Sequence, residues 1–277
     1  MLSRTLSIKA FIVLLLTITS LISCGGGGGS SEETSSPADS LGAFKETFTI
    51  DSQSVGTAYN ISVGLPPLYD GTGPPHPAVF LLDGDYYFSG LYDSYDENDD
   101  FLLIGINNSD RRHIDYLPDN QCEQENGGAS YFFDFLVSEL VPYLDDHYNL
   151  DPEFRVLFGH SYGGSFVFYT LFRDHGDTFP ILFSNEASLQ CWDVSLMENS
   201  YHASNDSLPV IFYSAAATVG DGNAHVITPV MDTIRERIYD DLIMKYETFN
   251  GTHDETLGEV FPRGFNWISE QVDGPSD

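Results

Sequence analysis

The sequence predicts an α/β fold with a mostly parallel central sheet, an N-terminal antiparallel hairpin and helices on both faces. Short apolar runs alternate with longer amphipathic segments, which is the pattern of parallel strands joined by helices. Two strand-like segments that lie close together in the chain, Phe48 to Asp51 and Tyr59 to Val63, predict the hairpin. The chain has 277 residues, of which 42% are hydrophobic, so it is long and apolar enough to fold around one sizeable core.

Buried strands are predicted at the short apolar runs, and helices where apolar residues recur at helical spacing. The strands are Ala78 to Leu82, Phe101 to Ile106, Arg155 to Gly159, Ile181 to Ser184, Val210 to Ser214 and Tyr246 to Asn250. The helices are Tyr131 to Asp146, Ser161 to Arg173, Pro229 to Lys245 and Leu257 to Val272. Thr228 and Pro229 are typical of a helix N-cap followed by a first-turn proline.

The chain is strongly acidic. It carries 42 Asp and Glu against 11 Lys and Arg, which gives a formal net charge of -31. Charge of this sign repels the phosphates of nucleic acids and anionic lipid headgroups. The composition therefore excludes nucleic acid as a partner, and it suits a protein that stays soluble at high salt, where ions screen self-repulsion.

The start of the chain is typical of an export signal. Arg4 and Lys9 precede the apolar run Ala10 to Leu16, which is the charged-then-apolar order of a secretory signal peptide. The following Leu21-Ile22-Ser23-Cys24 resembles the lipobox of bacterial lipoproteins, in which cleavage before the cysteine is followed by its acylation. We therefore expect residues 1 to 23 to be removed and Cys24 to become a lipidated N-terminus.

Residues 24 to 40 follow as a glycine- and serine-rich stretch without apolar periodicity, which predicts a flexible tether. The globular domain is predicted over residues 41 to 277. Several acyl chains on one cysteine attach a protein stably without a membrane span. The lipid bilayer is therefore an expected partner through acylated Cys24, with the chain exported and anchored to a bacterial membrane on the periplasmic or outer-membrane side.

The segment from Arg155 to Gly164 contains the pattern Gly-x-Ser-x-Gly at Gly159, Ser161 and Gly163. A predicted strand precedes it and a predicted helix follows, the context in which this pattern exposes a nucleophilic serine on a sharp turn. The glycines avoid clashes that a Cβ would cause in such a turn. The sequence therefore predicts the α/β-hydrolase fold, with Ser161 as the nucleophile.

A serine hydroxyl needs a base to take its proton, and histidine does this near neutral pH. In α/β-hydrolases the order along the chain is serine, acid, histidine. Among the histidines after Ser161, only His253 directly follows the last predicted strand and precedes the last predicted helix. We therefore predict His253 as the base, with His225 as the alternative.

The acid of the triad orients the imidazole and offsets the charge that it gains. It is expected after the strand Val210 to Ser214, where Asp221 fits best. Asp232 lies inside the next predicted helix and Asp254 adjoins the histidine, so each is less well placed. Asp221 is therefore the predicted acid.

Two backbone amides are expected to form an oxyanion hole. Tyr162 directly follows the nucleophile at a helix N-terminus, so its amide is the first predicted donor. The second donor normally comes from the loop after an early strand, and the amide of Asp85 is the candidate. This chemistry needs no metal and no organic cofactor.

Further blocks along the chain resemble, in the same order, the Putative esterase family of α/β-hydrolases, which includes esterase D and the enterobactin and salmochelin esterases. On either side of the turn around Ser161, here called the elbow, they are Leu81 to Asp85, Ile104 to Ile106 with Asp110 to Arg112 and Asp115 to Pro118, Ala187 to Leu189 with Cys191 to Asp193, and Thr252-His253 with Phe261 to Trp267. The resemblance implies an esterase in which Ser161 and His253 are catalytic. It supports the acid less directly, because the family often has a glutamate in a Gly-x-x-Glu setting where this chain has Gly220-Asp221.

Four residues are candidates for the substrate pocket. His160 adjoins the nucleophile and is expected to shape the pocket, and Trp192 lies in one of the family-like blocks. Arg111 and Arg112 would either form a local positive pocket for an anionic ester or pair with nearby aspartates. Both interpretations of the two arginines stay open at this point.

Cys122 and Cys191 remain as an even pair once Cys24 is acylated, in an oxidising compartment. A disulfide between them would close a loop of about 70 residues and would stabilise the fold by about 4 kcal/mol in the chain-entropy model. Two free buried thiols are the alternative.

Together these features predict a serine carboxylic-ester hydrolase that acts through an acyl-enzyme on a small-molecule ester, with a siderophore-type ester as one candidate. Two alternatives remain. One is a non-catalytic ligand- or partner-binding lipoprotein on the same fold, and the other is an acyltransferase that uses the same triad.

Overall fold

The computed structural model describes residues 44–67, 69–94, 99–255 and 257–273. Its centre is an eight-stranded sheet in the order β1-β2-β4-β3-β7-β8-β9-β10. Strand β2 is antiparallel to β1 and β4, and the other neighbouring pairs are parallel. This is the α/β-hydrolase fold with an N-terminal antiparallel hairpin, so the predicted fold class is confirmed.

The strands of the large sheet are β1 (Phe44–Asp51), β2 (Ala58–Leu65), β3 (His76–Leu82), β4 (Leu102–Asn107), β7 (Leu150–His160), β8 (Ile181–Asn185), β9 (Ile211–Ala217) and β10 (Ile243–Phe249). A separate small hairpin is formed by β5 (Asp119–Asn120) and β6 (Glu125–Asn126). The helices are α1 (Gly84–Tyr92), α2 (Arg112–Asp115), α3 (Ala129–Phe135), α4 (Val141–His147), α5 (Tyr162–Asp174), α6 (Ser195–His202), α7 (Ala224–Arg237) and α8 (Leu257–Asp273). A π-helical turn, Leu136–Leu140, joins α3 to α4.

Successive side chains of a strand point to opposite faces of the sheet. Each face therefore has its own apolar cluster, and helices cover both faces. In β3, Phe80 and Leu82 belong to the larger apolar cluster, whereas Val79 and Leu81 belong to the smaller one. Helices α3, α4, α5 and α7 contribute to the larger cluster. Helices α1 and α8 contribute to the smaller cluster.

The predicted helix Pro229 to Lys245 is wrong at both ends. The helix, α7, begins five residues earlier with Asn223 as its N-cap, so Pro229 lies inside it and removes one backbone hydrogen bond. It ends at Arg237, because the next residue, Ile238, has a left-handed φ of 54° that breaks the helical path. The residues from Ile243 onward form the edge strand β10, which pairs in parallel with β9.

The topology brings the ends of several strands together. Strand β7 lies between β3 and β8, with Phe158 opposite Leu81 and His160 opposite Asn185. Because these strands are parallel, their carboxyl ends and the loops that follow them meet at one edge of the sheet. This edge carries the segments in which the sequence placed the nucleophile, the base and the oxyanion donors.

The predicted signal segment, the lipidation site Cys24 and the tether lie outside the described residues. Within the part of the chain that the structure describes, no helix combines the length and the apolar character needed to cross a membrane.

Candidate active site

Ser161 occupies the sharp turn between β7 and α5. Its backbone has φ 61° and ψ -120°, a conformation that L residues adopt only at some cost. A Cβ on Gly159 would lie 2.2 Å from the carbonyl oxygen of Gly163, so the turn requires glycine there. A Cβ on Gly163 would meet its nearest neighbour at 3.4 Å, an ordinary contact. The steric argument therefore holds strictly for Gly159 alone.

The serine opens into a cleft of about 440 Å³. The residues that line it are Tyr86, Tyr87, Arg112, His160, Ser161, His253 and Asp254. The Oγ atom of Ser161 also lies 3.3 Å from the Oγ atom of Ser188, in the loop after β8. The predicted nucleophile and the predicted base thus share one cleft.

His253 lies in the loop between β10 and α8, as predicted, and its side chain is 19% exposed. The Nδ1 atom of its ring lies 3.0 Å from Oε2 of Glu186. Its main-chain N–H donates to Oδ1 of Asp221 over 3.2 Å. The alternative base, His225, is exposed and its Nδ1 lies 3.1 Å from the carbonyl oxygen of Gly222.

Glu186 is the carboxylate that contacts the imidazole, and the sequence had not singled it out. It directly follows β8, has a left-handed φ of 54° and is fully buried. The backbone N–H of Ala217 donates to its Oε1, and the backbone N–H of Asn223 donates to its Oε2 over 3.1 Å. A signal was available, because Glu186 is the sole acidic residue between Asp177 and Asp193, at the end of a buried strand.

Asp221 does not contact the imidazole ring, contrary to the expectation. It is exposed, and its carboxylate accepts from the main chain of His253 instead. That hydrogen bond is the main cause that lowers the pKa of Asp221 below its usual value. The physical reason for the difference is that the buried side chain of Glu186 already occupies the Nδ1 side of the ring, held by the turn that contains Asn223.

His160 lines the cleft next to Ser161 as a buried, neutral group. Burial is the main cause that lowers its pKa to about 3, and the neighbouring His253 and Arg112 lower it further. Its ring centroid is 4.8 Å from that of His253, and its Nδ1 lies 3.1 Å from Nδ2 of Asn185. Its role in shaping the pocket stays a prediction.

One group among the described residues has the spacing of a metal site. His160, His253 and Asp254 each offer a ligand atom, and these atoms lie within 4.8 Å of one another. The Nδ1 atoms of both imidazoles contact other side chains, so a metal would have to take the Nε2 atoms. Metal binding there and proton transfer at Nε2 of His253 are therefore mutually exclusive.

The two candidate oxyanion donors lie at the N-termini of helices. Tyr162 is the first residue of α5 and Asp85 is the second residue of α1. Amides at these positions have no partner inside their helix and point toward the positive end of its dipole. The side chain of Asp85 is exposed and accepts from the hydroxyl of Ser109, which leaves the backbone amide as its predicted contribution.

The other pocket candidates differ in position. Arg112 lines the cleft, but its guanidinium forms an ion pair with Asp83. Arg111 pairs with Asp115, so for this residue the salt-bridge interpretation describes the structure. Trp192 is buried in the larger apolar cluster rather than lining the cleft.

Cys122 and Cys191 form a disulfide, with 4.9 Å between their Cα atoms. Cys191 follows the loop after β8, and Cys122 lies in the β5–β6 hairpin. The bridge therefore ties that hairpin to the segment that carries Glu186 and Ser188. The backbone N–H of Gln121 donates to the carbonyl oxygen of Cys191 over 3.0 Å and reinforces the connection.

Comparisons with known proteins identify the family of this chain and proteins that share its fold. The chain is 27% identical over 155 residues to the ferri-bacillibactin esterase BesA of Bacillus subtilis, a match that covers 46% of this chain and 52% of that protein. The chain thus matches about half the length of this relative. The structure of the BES protein from Bacillus cereus has a TM-score of 0.70 at 18% identity, covering 87% of this chain and 99% of that one.

The siderophore hydrolase EstB from Aspergillus nidulans has a TM-score of 0.67 at 17% identity, covering 84% of this chain and 97% of that one. At these identities the two solved structures share the fold. The family described as "Putative esterase" matches residues 52–213, more than half of the chain and including the elbow around Ser161. The chain belongs to the Putative esterase family.

Proposed function

We propose that this chain is a serine carboxylic-ester hydrolase that works through an acyl-enzyme on Ser161. One observation carries the proposal. A buried carboxylate, Glu186, contacts Nδ1 of His253 at 3.0 Å, and the same imidazole lines the cleft into which Ser161 opens. A nucleophile, a base and a third group that orients the base are the arrangement that activates a serine hydroxyl.

In the first half of the reaction, Nε2 of His253 takes the hydroxyl proton of Ser161 while Oγ attacks the ester carbonyl carbon. The carbonyl electron pair moves onto oxygen and a tetrahedral oxyanion forms. When this intermediate collapses, the bond to the alcohol breaks and the departing oxygen takes the proton from the imidazolium. The acyl group is then held as an ester on Ser161.

In the second half, His253 takes a proton from water while the water oxygen attacks the acyl carbon. Collapse of the second tetrahedral intermediate returns the proton to Oγ of Ser161 and releases the carboxylic acid. Each step is carried by side chains, backbone amides and water. The backbone amides of Tyr162 and Asp85 stabilise the negative oxygen in both intermediates.

Glu186 takes the role that the sequence assigned to Asp221. Its carboxylate accepts from Nδ1–H of His253, which leaves the Nε2 lone pair for the serine proton. Its negative charge also offsets the positive charge of the imidazolium while the intermediates exist. Two backbone N–H groups donate to the carboxylate and hold it in place. Its position therefore depends on the main chain and not on the conformation of another side chain.

The substrate class that we propose is a small-molecule ester. The names of two relatives make siderophore esters the first natural candidates, since one is called a ferri-bacillibactin esterase and another a siderophore hydrolase. Charge argues for a test with both neutral and anionic esters. Arg111 and Arg112 are paired with Asp115 and Asp83, so a strongly anionic siderophore would meet little unpaired positive charge from them.

The experiment that tests the proposal combines a fluorophosphonate probe with turnover of short p-nitrophenyl esters. We expect the folded wild-type protein to be labelled and to release p-nitrophenol, and Ser161→Ala to do neither. Ser188→Ala is the matched control, because its hydroxyl lies 3.3 Å from that of Ser161 and it should still be labelled. Absence of labelling in folded wild type would reject the enzyme and favour a ligand-binding lipoprotein.

Product analysis separates hydrolysis from acyl transfer. Wild type is incubated with an ester in the presence of an added alcohol or sugar, and the products are identified by mass spectrometry. A hydrolase yields mainly the free acid, because water attacks the acyl-enzyme. Predominant formation of a new ester would assign the chain as an acyltransferase with the same active site.

We also propose that the mature chain is exported and lipid-anchored through Cys24. The support is the signal-like start and the lipobox-like Leu21-Ile22-Ser23-Cys24, together with the disulfide, which is typical of oxidising compartments. Expression in a bacterial host with a labelled fatty acid should give a labelled protein in the membrane fraction. The variant Cys24→Ser should lose the label, and an unlabelled wild type would reject the anchor.

A further inference from the structure

Arg112 joins the two loops that carry the proposed oxyanion donors. Its Nε and Nη2 atoms each donate over 3.1 Å to the carboxylate of Asp83, in the loop after β3. Nη2 also donates over 3.2 Å to the carbonyl oxygen of His160, the last residue of β7. Asp83 lies two positions before Asp85, and His160 lies two positions before Tyr162. One guanidinium thus bonds to two residues, and each of them lies two positions before one of the predicted oxyanion donors.

Both loops need an external contact to hold their shape. Asp83 and Ser161, the residues that direct the chain into α1 and α5, have left-handed φ values of 54° and 61°. Such conformations cost non-glycine residues on the order of 1 kcal/mol or more and persist only when their surroundings impose them. Neighbouring contacts therefore set the direction in which each helix N-terminus points.

Asp83 is fixed by a second partner as well. It is fully buried, its backbone N–H donates to the hydroxyl of Tyr116 over 2.9 Å, and that hydroxyl lies 3.2 Å from its Oδ1. The Tyr116 hydroxyl also contacts Oδ1 of Asn108. A buried ion pair contributes little net stability, because desolvation of the charges offsets their attraction. The arrangement is better suited to fixing a geometry than to stabilising the fold.

We propose that Arg112 is a positioning residue that sets the separation and direction of the two oxyanion-hole amides, an inference that rests on the proposed function. It acts through Asp83 on the amide of Asp85 and through the His160 carbonyl on the amide of Tyr162. Its own side chain makes no bond to the reacting ester.

Arginine suits this role and lysine does not. The planar guanidinium presents donors in a fixed fork, which binds both oxygens of one carboxylate and still reaches a third acceptor. A lysine ammonium is a single point that can approach Asp83 but cannot keep the bidentate contact and the bond to His160 together. Replacing Arg112 by lysine therefore keeps the charge and removes the connection between the loops.

Arg111 provides a matched control in the same part of the chain. It precedes Arg112 by one residue, and its Nη2 lies 3.2 Å from Oδ1 of the buried Asp115. Asp115 in turn accepts from the hydroxyl of Tyr59 over 2.7 Å. This pair resembles the Arg112–Asp83 pair in chemistry, but its partners are neither in the elbow nor in the loop after β3.

The test compares Arg112→Lys with Arg111→Lys, using p-nitrophenyl ester turnover and the affinity of a trifluoromethyl ketone that mimics the tetrahedral intermediate. We expect Arg112→Lys to lower kcat by roughly 10- to 100-fold, since loss of one oxyanion donor costs about 100- to 1,000-fold and displacement should cost less. KM should stay within about threefold, and the affinity for the ketone should fall in parallel with kcat/KM. Arg111→Lys should change kcat by less than about threefold.

Chemical rescue supplies a readout that general destabilisation would not move. The side chain of Arg112 is 24% exposed and lines the cleft, so Arg112→Ala leaves a space that a small guanidinium can enter. Added methylguanidinium should raise kcat of Arg112→Ala by about tenfold or more and should leave Arg111→Ala unchanged. If Arg112→Lys does not fold, Tyr116→Phe replaces it, because it removes both contacts of the Tyr116 hydroxyl with Asp83 and should lower kcat without changing KM.

The outcomes separate this inference from the proposed function. An active wild type in which Arg112→Lys keeps its kcat, or in which both arginine variants lose activity in proportion to their melting temperatures, would overturn the positioning role alone. A wild type that neither turns over esters nor labels at Ser161 would overturn the proposed function. Loss of kcat in Arg112→Lys but not in Arg111→Lys, together with rescue of Arg112→Ala by methylguanidinium, would establish the role.

Discussion

Two carboxylates approach His253 from different strands, and they differ in almost every physical property. Glu186 follows β8, is fully buried and contacts the ring at Nδ1. Asp221 follows β9, is exposed and bonds to the main chain of the same residue. One carboxylate is therefore placed to set the tautomer and charge of the imidazole, and the other to hold the loop on which the imidazole sits.

The difference teaches that the position of an acid in the chain is a weaker guide than its environment. In the usual order the acid lies between the serine and the histidine along the chain, which both carboxylates do, and Asp221 was expected after β9. In this chain the adjacent strand, β8, delivers a longer side chain to the same ring. The turn after β9 still contributes, because Asn223 donates from its backbone to Oε2 of Glu186 over 3.1 Å.

The strongest way to break this comparison is the substitution Glu186→Gln. The amide keeps the shape of the carboxylate but removes its charge, and it favours the imidazole tautomer in which Nε2 carries the proton and cannot accept it. We expect kcat to fall by roughly 1,000- to 10,000-fold. Steady-state turnover of p-nitrophenyl butyrate is the measurement.

A matched control for Glu186→Gln lies elsewhere in the chain. Glu198 is also buried and is paired, in its case with Arg237 at 2.9 Å. Glu198→Gln should lower the melting temperature without changing kcat by more than about threefold. Equal losses of kcat in the two variants would mean that Glu186 acts only through stability.

The sequence predicted the elbow because its signals are local. The strand β7, the turn at Ser161 and the helix α5 follow one another without interruption, and a Cβ at Gly159 would collide with Gly163. The fold class is equally local in origin, because most of the parallel strands contain an apolar run. The boundary of α7 was misplaced because Ile234, Ile238 and Leu242 follow one another at a spacing of four residues although the helix ends at Arg237.

The acid could not be predicted in the same way, because its contact is non-local. Glu186 and His253 are 67 residues apart, and what brings them together is the order of β8, β9 and β10 in the sheet. The disulfide partners are similarly distant, 69 residues apart. For the cysteines, the even pair that remains if Cys24 is acylated, in a chain expected to be exported, was enough to suggest pairing. The many carboxylates of an acidic chain offer no such restriction.

The disulfide between Cys122 and Cys191 is expected to stabilise the part of the chain that carries Glu186. Cys191 lies five residues after Glu186, so Cys122→Ser with Cys191→Ser frees that segment and leaves the loop of Asp221 untouched. We expect the free energy of unfolding to fall by about 4 kcal/mol from the loss of the cross-link in the unfolded chain. Urea unfolding of both forms is the measurement, and an unchanged midpoint would contradict the expectation.

Burial also changes the titration of His160, which lies next to His253. The pKa of His160 is lowered to about 3 by burial, whereas the unfolded chain binds that proton near the ordinary value of 6.5. Between these values the unfolded state carries the extra proton, so this group's contribution to stability is present above pH 6.5 and is lost as the pH falls.

This sign predicts a pH-dependent difference between wild type and His160→Gln. The stability advantage of wild type should shrink by about 2 kcal/mol between pH 7 and pH 5, since one group adds at most about 1.4 kcal/mol per pH unit. Urea titrations of both proteins at pH 7, 6 and 5 give the comparison. A constant difference across this range would mean that the folded protein also binds a proton at His160.

The smallest effect on kcat is expected for substitutions of Asp221, the exposed one of the two carboxylates. Asp221→Asn keeps an oxygen that accepts from the backbone N–H of His253 and removes only an exposed charge, whose influence on the ring is weakened by solvent and salt. We therefore expect kcat to change by less than about threefold at low salt, and by less still in 0.5 M NaCl. Asp221→Ala, which also removes the acceptor, serves as the control for the loop. A loss as large as that of Glu186→Gln would mean that the loop after β9 turns during catalysis and brings Asp221 to the ring, which would exchange the roles of the two carboxylates.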